Sequence, residues 1–317
     1  MEKRFDVAAL GELLIDFTES GLSPQGNPLL EANPGGAPCN VLAMLKKLGK
    51  NCAFIGKVGC DRFGYELKDV VDEAGICTEG LLFDREARTT LAFVKTAPNG
   101  DRSFSFYRNP GADMMLTAEE LPMDIITGCR VFHFGTLSMT HPGVREATKK
   151  AVAAAKEAGA LISFDPNLRP MLWDDQEEMK EQVLYGLSVC DILKIADNEI
   201  EFLTGNQEEE GIEQLKKLAP GCKIMNVTFG AKGSLNAGPD GTVFVPAVSL
   251  GGTIETTGAG DTFCACIIHY VLEHGTDLTW DQRTEMLKFA NAAAYIVTTK
   301  KGAIRSMPEP AEVEAIL

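Results

Sequence analysis

The sequence predicts an α/β fold built on a mostly parallel sheet, with a small antiparallel β insert. Three observations carry that prediction. Beyond residue 113, short apolar runs alternate with runs of helical period, the pattern of a parallel sheet covered on both faces by helices. Between 79 and 115, strand-like runs instead succeed one another with no long helix between them. Near the end, Glu255-Thr256-Thr257-Gly258-Ala259-Gly260-Asp261-Thr262-Phe263 reads as a turn that opens a helix, with Phe263, Ile267, Ile268, Val271 and Leu272 at helical spacing.

The chain has 317 residues, enough for one large α/β domain or two modest ones. It is 45% hydrophobic and 24% charged, as a soluble globular protein is. A net charge of −15 argues against a nucleic-acid partner or an anionic membrane. Any anion site must therefore be built locally, from backbone amides and a few Lys or Arg side chains. The nine Cys include no CxxC pair, which suggests a reducing compartment. No apolar run is long enough to span a membrane and no signal peptide is evident, so a cytoplasmic protein is expected.

In chain order, residues 5–10 read as a buried strand. Gly11-Glu12-Leu13-Leu14-Ile15-Asp16-Phe17 follows, with two carboxylates in apolar surroundings. Such a carboxylate is paired or kept for a ligand, and Asp16 also suits a strand-end turn. The stretch 20–34, rich in Gly, Pro, Ser and Asn, reads as irregular. Pro34-Gly35-Gly36-Ala37-Pro38-Cys39-Asn40 leads into a helix with Val41, Leu42, Leu45 and Leu48 on one face. Its glycines permit close backbone approach to a small ligand, and Asn40 offers a polyol both donor and acceptor. A plain loop-to-helix turn is the alternative. Residues 51–58 form a strand and 61–74 an amphipathic helix. Short strands follow at 81–83, 89–96 and 103–107, the last two joined by a hairpin turn at 98–101. A small inserted sheet of this kind can act as a lid.

Strands at 129–135, 161–165, 190–195 and 223–228 then alternate with helices at 144–158, 176–187 and 212–218. Glu208-Glu209-Glu210 reads as a solvated helix start. Parallel sheets bind ligands at the carboxyl ends of their strands. Polar residues collect at those ends: Asp165 and Arg169, Glu199, and the run from Thr228 to Gly233. His133 and His141 lack metal-ligand spacing and read as structural. Ahead of the 255–263 turn, 242–248 is strand-like. Gly258 and Gly260 let backbone N–H groups point at an anion from the positive end of a helix. Asp261 would repel a resting phosphate. It suits a base that removes the proton of an attacking hydroxyl, although Asp is also a favoured helix cap.

Gly35-Gly36-Ala37-Pro38-Cys39-Asn40 and Glu255-Thr256-Thr257-Gly258-Ala259-Gly260-Asp261 together resemble the two signatures of the ribokinase-like (PfkB) carbohydrate kinases. The likeness runs from Gly11 to Pro308 and is strongest to the fructokinase branch. The segments at 11–17, 106–114 (Phe-Tyr-Arg-Asn-Pro-Gly-Ala-Asp-Met), 165–170 (Asp-Pro-Asn-Leu-Arg-Pro) and 201–205 (Glu-Phe-Leu-Thr-Gly) carry it. The resemblance implies one ribokinase-like three-layer α/β/α domain over 1–317, with a β lid inserted from 12–34 and 79–115. It implies transfer of the ATP γ-phosphoryl group to the 6-hydroxyl of D-fructose. The alternatives are a sister kinase acting on 2-keto-3-deoxygluconate or another furanose, and a non-catalytic sugar binder, which would have no need of Asp261.

By the same resemblance, Asp261 would be the base, and Gly258, Ala259 and Gly260 would donate amides to the transferring phosphoryl group. Asp16, Gly35, Gly36 and Asn40 would hold sugar hydroxyls. Arg108, from the lid, and Arg169 would bring positive charge near sugar or phosphate. Lys194, Thr228, Gly230 and Gly233 would line the nucleotide, with Asn291 by the adenine. Glu199 would help to hold Mg2+ through water. A monovalent cation, K+, would draw on Val297, Lys300, Gly302 and Ser306, with Glu255 standing where Asp is usual. The Asn usual three residues before the glutamate is Ala196 here. A homodimer paired through the lid is also implied.

Overall fold

A computed structural model describes residues 3–96, 102–238 and 240–317. The turn expected at 98–101 lies outside the described residues. In chain order the first elements are β1 (Phe5–Leu10), β2 (Leu14–Leu22), β3 (Pro28–Gly35), α1 (Ala37–Lys47), β4 (Cys52–Gly59) and α2 (Arg62–Glu73). There follow β5 (Cys77–Asp84), β6 (Leu91–Thr96), β7 (Arg102–Tyr107), α3 (Met123–Thr127), β8 (Cys129–Gly135), α4 (Pro142–Glu157) and β9 (Leu161–Asp165). Next come α5 (Gln176–Val189), β10 (Ile192–Ala196), α6 (Asp197–Thr204), α7 (Glu208–Leu218) and β11 (Ile224–Thr228). The chain ends with β12 (Gly233–Gly238), β13 (Gly241–Pro246), α8 (Ala259–His274), α9 (Trp280–Thr298) and α10 (Pro310–Glu314).

Among the described residues, nine strands form one sheet in the order β13-β12-β11-β10-β9-β8-β1-β4-β5. It is parallel from β5 to β11 and antiparallel at β12 and β13. The two-residue period of a strand sends alternate side chains to opposite faces. Val7 and Ala9 join an apolar cluster with α1, α8 and α9, whereas Ala8 and Leu10 join one with α4 and α5. Two cores, one on each face, make the three layers. The chain builds outward from β1 through β4 and β5 on one side, and from β8 to β11 on the other. The crevice at the carboxyl ends of β1 and β8 is thus the switch point where such sheets bind ligands.

A second sheet has the order β3-β2-β6-β7. Its outer pairs are antiparallel, and β2 and β6 run parallel between them. Two sequence-based expectations change here. The stretch 20–34, expected to be irregular, forms the arms of the β2–β3 hairpin, with a bulge between Glu19 and Gly21. Its polar composition reflects exposure of the distal arms, and cross-strand pairing supplies the order. The strand expected at 81–83 in the insert belongs instead to β5, which lies parallel to β4 in the main sheet. Short apolar runs look alike in either sheet; the α2 crossover between β4 and β5 decides the matter. The strand β12 was not anticipated at all.

Candidate active site

Two helix starts face each other over the switch point. At α8, Gly258 caps the helix at φ 77, a left-handed conformation that suits glycine. A Cβ there would lie 3.0 Å from Ala303 Cβ. Of the three expected amide donors, Ala259 is already engaged, its N–H donating to Thr256 O at 3.3 Å. A Cβ on Gly260 would sit 3.1 Å from Lys194 Nζ, so this turn and that ammonium group adjoin.

At α1, Gly36 caps the helix at φ 131, and a Cβ there would run into the Glu12 carbonyl oxygen. Glu12 itself is buried, and its Oε1 accepts the Ala37 N–H at 2.7 Å. Burial pushes its carboxyl up to about 7, against the Ala37 hydrogen bond. Gly36→Ala is expected to destabilise the protein by about 1 kcal/mol or more, since both φ and space exclude a side chain; a shift in the urea midpoint checks it.

Between the two helices, Asn40 Nδ2 donates to Asp261 Oδ2 at 2.8 Å. Asn40 Oδ1 is buried without a partner among the described residues. Such an orphan acceptor is costly unless a ligand donor reaches it. Burial pushes the Asp261 carboxyl up to about 6; the Asn40 bond pulls the other way. Asp261 is therefore ionised at neutral pH, yet basic enough to accept a proton.

The register Leu193↔Phe164 brings Lys194 level with Asp165, the last residue of β9. Both are buried, with Nζ 3.1 Å from Oδ2 and 3.3 Å from Oδ1. Burial works to lower the Lys194 ammonium, but Asp165, Glu199 and Asp261 outweigh it and hold it above its ordinary range. His133, pushed down to about 4 by burial, shares a hydrogen bond with the Ser163 hydroxyl at 3.0 Å.

Gly36, Asn40, Lys194, Gly258, Gly260 and Asp261 line one cleft. Leu14, Asp16, Val94 and Phe106 close it from the small sheet, and Leu137 from the turn after β8. Asn167, at a φ of 45, and Arg169 approach from the end of β9. A Cβ on Gly35 would meet Asp16 Oδ2 at 2.7 Å, so the paired strands leave room for the carboxylate by omitting a side chain. Asp16, Gly36, Asn40, Arg169, Lys194, Gly258, Gly260 and Asp261 are thus brought together as the sequence suggests. Asn167, Val94, Phe106 and Leu137 join them without an expected role; Phe106 and Asn167 stand in the segments 106–114 and 165–170 that carry the resemblance.

Other expectations need correction. Arg108 does not line the cleft: its guanidinium is buried on Asp113, Thr140 and Leu137. Asn291 is buried and committed to the protein, accepting from the Ser234 hydroxyl at 2.8 Å and donating to Val245 O and Pro246 O. Its amide clamps α9 to the β12–β13 hairpin. Residue type was legible there; the partner was not. Thr228, Gly230 and Gly233 lie at the β11 end and its turn, outside this cleft.

Glu199 caps α6, accepting the Leu168 N–H at 2.7 Å and the Ala196 N–H at 2.8 Å, and burial raises its carboxyl. Among the described residues no three His, Cys, Asp or Glu side chains converge to hold a metal. A magnesium ion that arrives on phosphates and keeps its waters would need no such cluster. In the expected cation loop, Glu255 Oε1 accepts the Gly302 N–H at 2.8 Å and the Ser306 hydroxyl donates to Lys301 O. Val297 O accepts the Lys300 N–H, and the Lys300 side chain turns away to Glu312. Among the described residues no helix is long and apolar enough to cross a membrane.

Comparison with known proteins fits this geometry. Residues 4–310 match the model of the pfkB family of carbohydrate kinases. Fructokinase-1 of Zea mays is 42% identical over 97% of this chain and 96% of its own. A fructokinase from Xylella fastidiosa, solved with ATP bound, superposes with a TM-score of 0.88 at 31% identity over 98% of both chains. A double mutant of the fructokinase from Vibrio cholerae O395, solved with fructose, ADP and potassium ion, gives 0.88 at 29% identity over 100% of this chain and 99% of that one.

Proposed function

As the chain belongs to the pfkB family of carbohydrate kinases, we propose that it is an ATP-dependent fructokinase that phosphorylates the 6-hydroxyl of D-fructose. The observation that carries the reading is Asp261: a partly buried carboxylate raised to about 6, steadied by Asn40, in the first turn of a helix beside Lys194. A sugar hydroxyl held there loses its proton to Asp261 as it attacks. The Gly260 turn, Lys194 and Arg169 offset the charge that builds on the transferred phosphoryl group. Asp16 and Asn40 orient the sugar, the orphaned Asn40 Oδ1 accepting one of its hydroxyls. Asn40→Ala is expected to raise the fructose KM by about tenfold, the loss of one or two hydrogen bonds; steady-state kinetics check it.

The residues around the transfer point fall at the ends of β9 and β10 and at two helix starts, so the small sheet serves as a lid, excluding the water that would hydrolyse ATP. A magnesium ion carried by the nucleotide would supply charge neutralisation, and Glu199 would help to hold it through water. Potassium against the Glu255–Gly302–Ser306 loop would steady the Gly258 turn. The apolar Leu22, Leu29, Leu30 and Tyr107 are exposed on the small sheet, which supports a homodimer joined there. A monomer mass in light scattering would withdraw the dimer.

ADP release from ATP and magnesium, measured with fructose, ribose, glucose, adenosine and 2-keto-3-deoxygluconate, with and without potassium, tests the whole reading. Release with fructose is expected. Preference for the keto acid would move the protein to a sister kinase; release with none would leave a sugar binder.

A further inference from the structure

Arg108 and Asp113 take no part in the transfer just described, yet their side chains are 3% and 2% exposed, deeper than Lys194 and Asp165 at 9% and 5%. Arg108 Nε donates to Asp113 Oδ2 at 2.8 Å, one terminal nitrogen to Thr140 Oγ1 at 2.9 Å, and the other to Leu137 O at 2.9 Å. Asp113 Oδ1 accepts the Thr90 hydroxyl at 2.5 Å. Gly111 leaves the space for this, since a Cβ there would strike the Thr90 hydroxyl.

Four segments meet on this one ion pair. Thr90 leads into β6 and Arg108 follows β7, so both strands that carry Val94 and Phe106 to the cleft are gripped at their base. Leu137 and Thr140 belong to the turn after β8, and Leu137 is the facing wall of the same cleft. A buried ion pair seldom stabilises a fold more than apolar residues of equal volume. What a planar guanidinium adds is direction, with several donors fixed at set angles.

We propose that Arg108 and Asp113 are positioning residues: the pair fixes the Val94–Phe106 wall against Leu137, and so sets sugar affinity and keeps water from the transferred phosphoryl group. The proposal rests on the kinase reading above. It assigns Arg108 a role without contact to sugar or phosphate.

The test uses the full chain and two variants. Arg108→Met with Asp113→Leu removes both charges together and leaves neither buried alone. Thr140→Val removes only one acceptor of the guanidinium. The readouts are fructose KM and kcat, fructose Kd by calorimetry, and ADP release without sugar as a fraction of that with saturating fructose. For the double variant, folded by circular dichroism and melting temperature, KM and Kd are expected to rise about tenfold or more, since a shift of about 1 Å in a binding wall is costly. The sugar-free fraction is expected to rise by a similar factor as water gains access. Thr140→Val is expected to shift both in the same direction by less. Unchanged KM, Kd and sugar-free fraction in the folded double variant would overturn the proposal; should that variant not fold, unchanged values in Thr140→Val would do so. Wild-type protein is assayed first. Absence of turnover with every sugar there is failure of the kinase reading, and Kd for fructose still tests the wall.

Discussion

Asp261→Asn is expected to lower kcat by about 10²- to 10⁴-fold, the usual worth of a general base, while fructose Kd changes little. The substitution keeps the shape and leaves Asn40 an oxygen to donate to. The pH dependence follows from the same group. Burial raises the Asp261 carboxyl from its ordinary 3.8 to about 6, so kcat/KM should fall about tenfold per pH unit below that value as the base takes up a proton. Glu12, raised to about 7, is another carboxyl titrating in this window, and His133, lowered to about 4, stays neutral through it. The residual activity of Asp261→Asn should therefore lose the limb at about 6 and retain any limb due to Glu12.

Stability should move the opposite way. A carboxyl raised in the folded protein binds its proton more tightly than the unfolded chain does. Ionising Asp261 thus costs the fold stability at every pH above about 6, a cost that fades as pH falls toward the unfolded value. An amide carries no such cost. The variant should melt at the same temperature as wild type or higher at pH 8, with the difference shrinking by pH 5. A variant both inactive and much less stable at pH 8 would mean that Asp261 holds the structure together rather than driving the reaction.

The parts of this site that could be read from sequence are those where one residue type has one use. Gly258 and Gly36 adopt backbone conformations that favour glycine, and both mark a helix start. Asn40 and Asp261 follow those turns at short range, so their place in the site needed no tertiary knowledge. The alternation of apolar runs likewise exposed the parallel sheet, because strands buried on both faces have few other ways to be written. What failed were inferences about partners. Arg108 looks like a ligand-binding group and is instead spent inside the fold on residues that the sequence leaves uninterpreted. The β2–β3 hairpin was hidden for a different reason. Its order comes from hydrogen bonds between backbones, which leave no trace in side-chain hydropathy.

Lys194 falls between these cases: expected as a cation near a nucleotide, and paired with Asp165 only once β9 and β10 are in register. Lys194→Met is expected to have two separable effects. Removing a preorganised positive charge beside the Gly260 turn should lower kcat by about 10²- to 10³-fold. Removing the partner of a buried carboxylate should cost about 3–5 kcal/mol of stability, read as a lower urea midpoint. Adding Asp165→Asn distinguishes them. With the carboxylate that lies on the ammonium neutralised as well, the double variant should recover much of the lost stability, while turnover stays low because the phosphoryl group still lacks its cation. Recovery of both would reduce Lys194 to a counter-ion for Asp165. Recovery of stability alone assigns the ammonium to the reaction, and leaves Asp165 the task of holding it charged and in place beside Asp261.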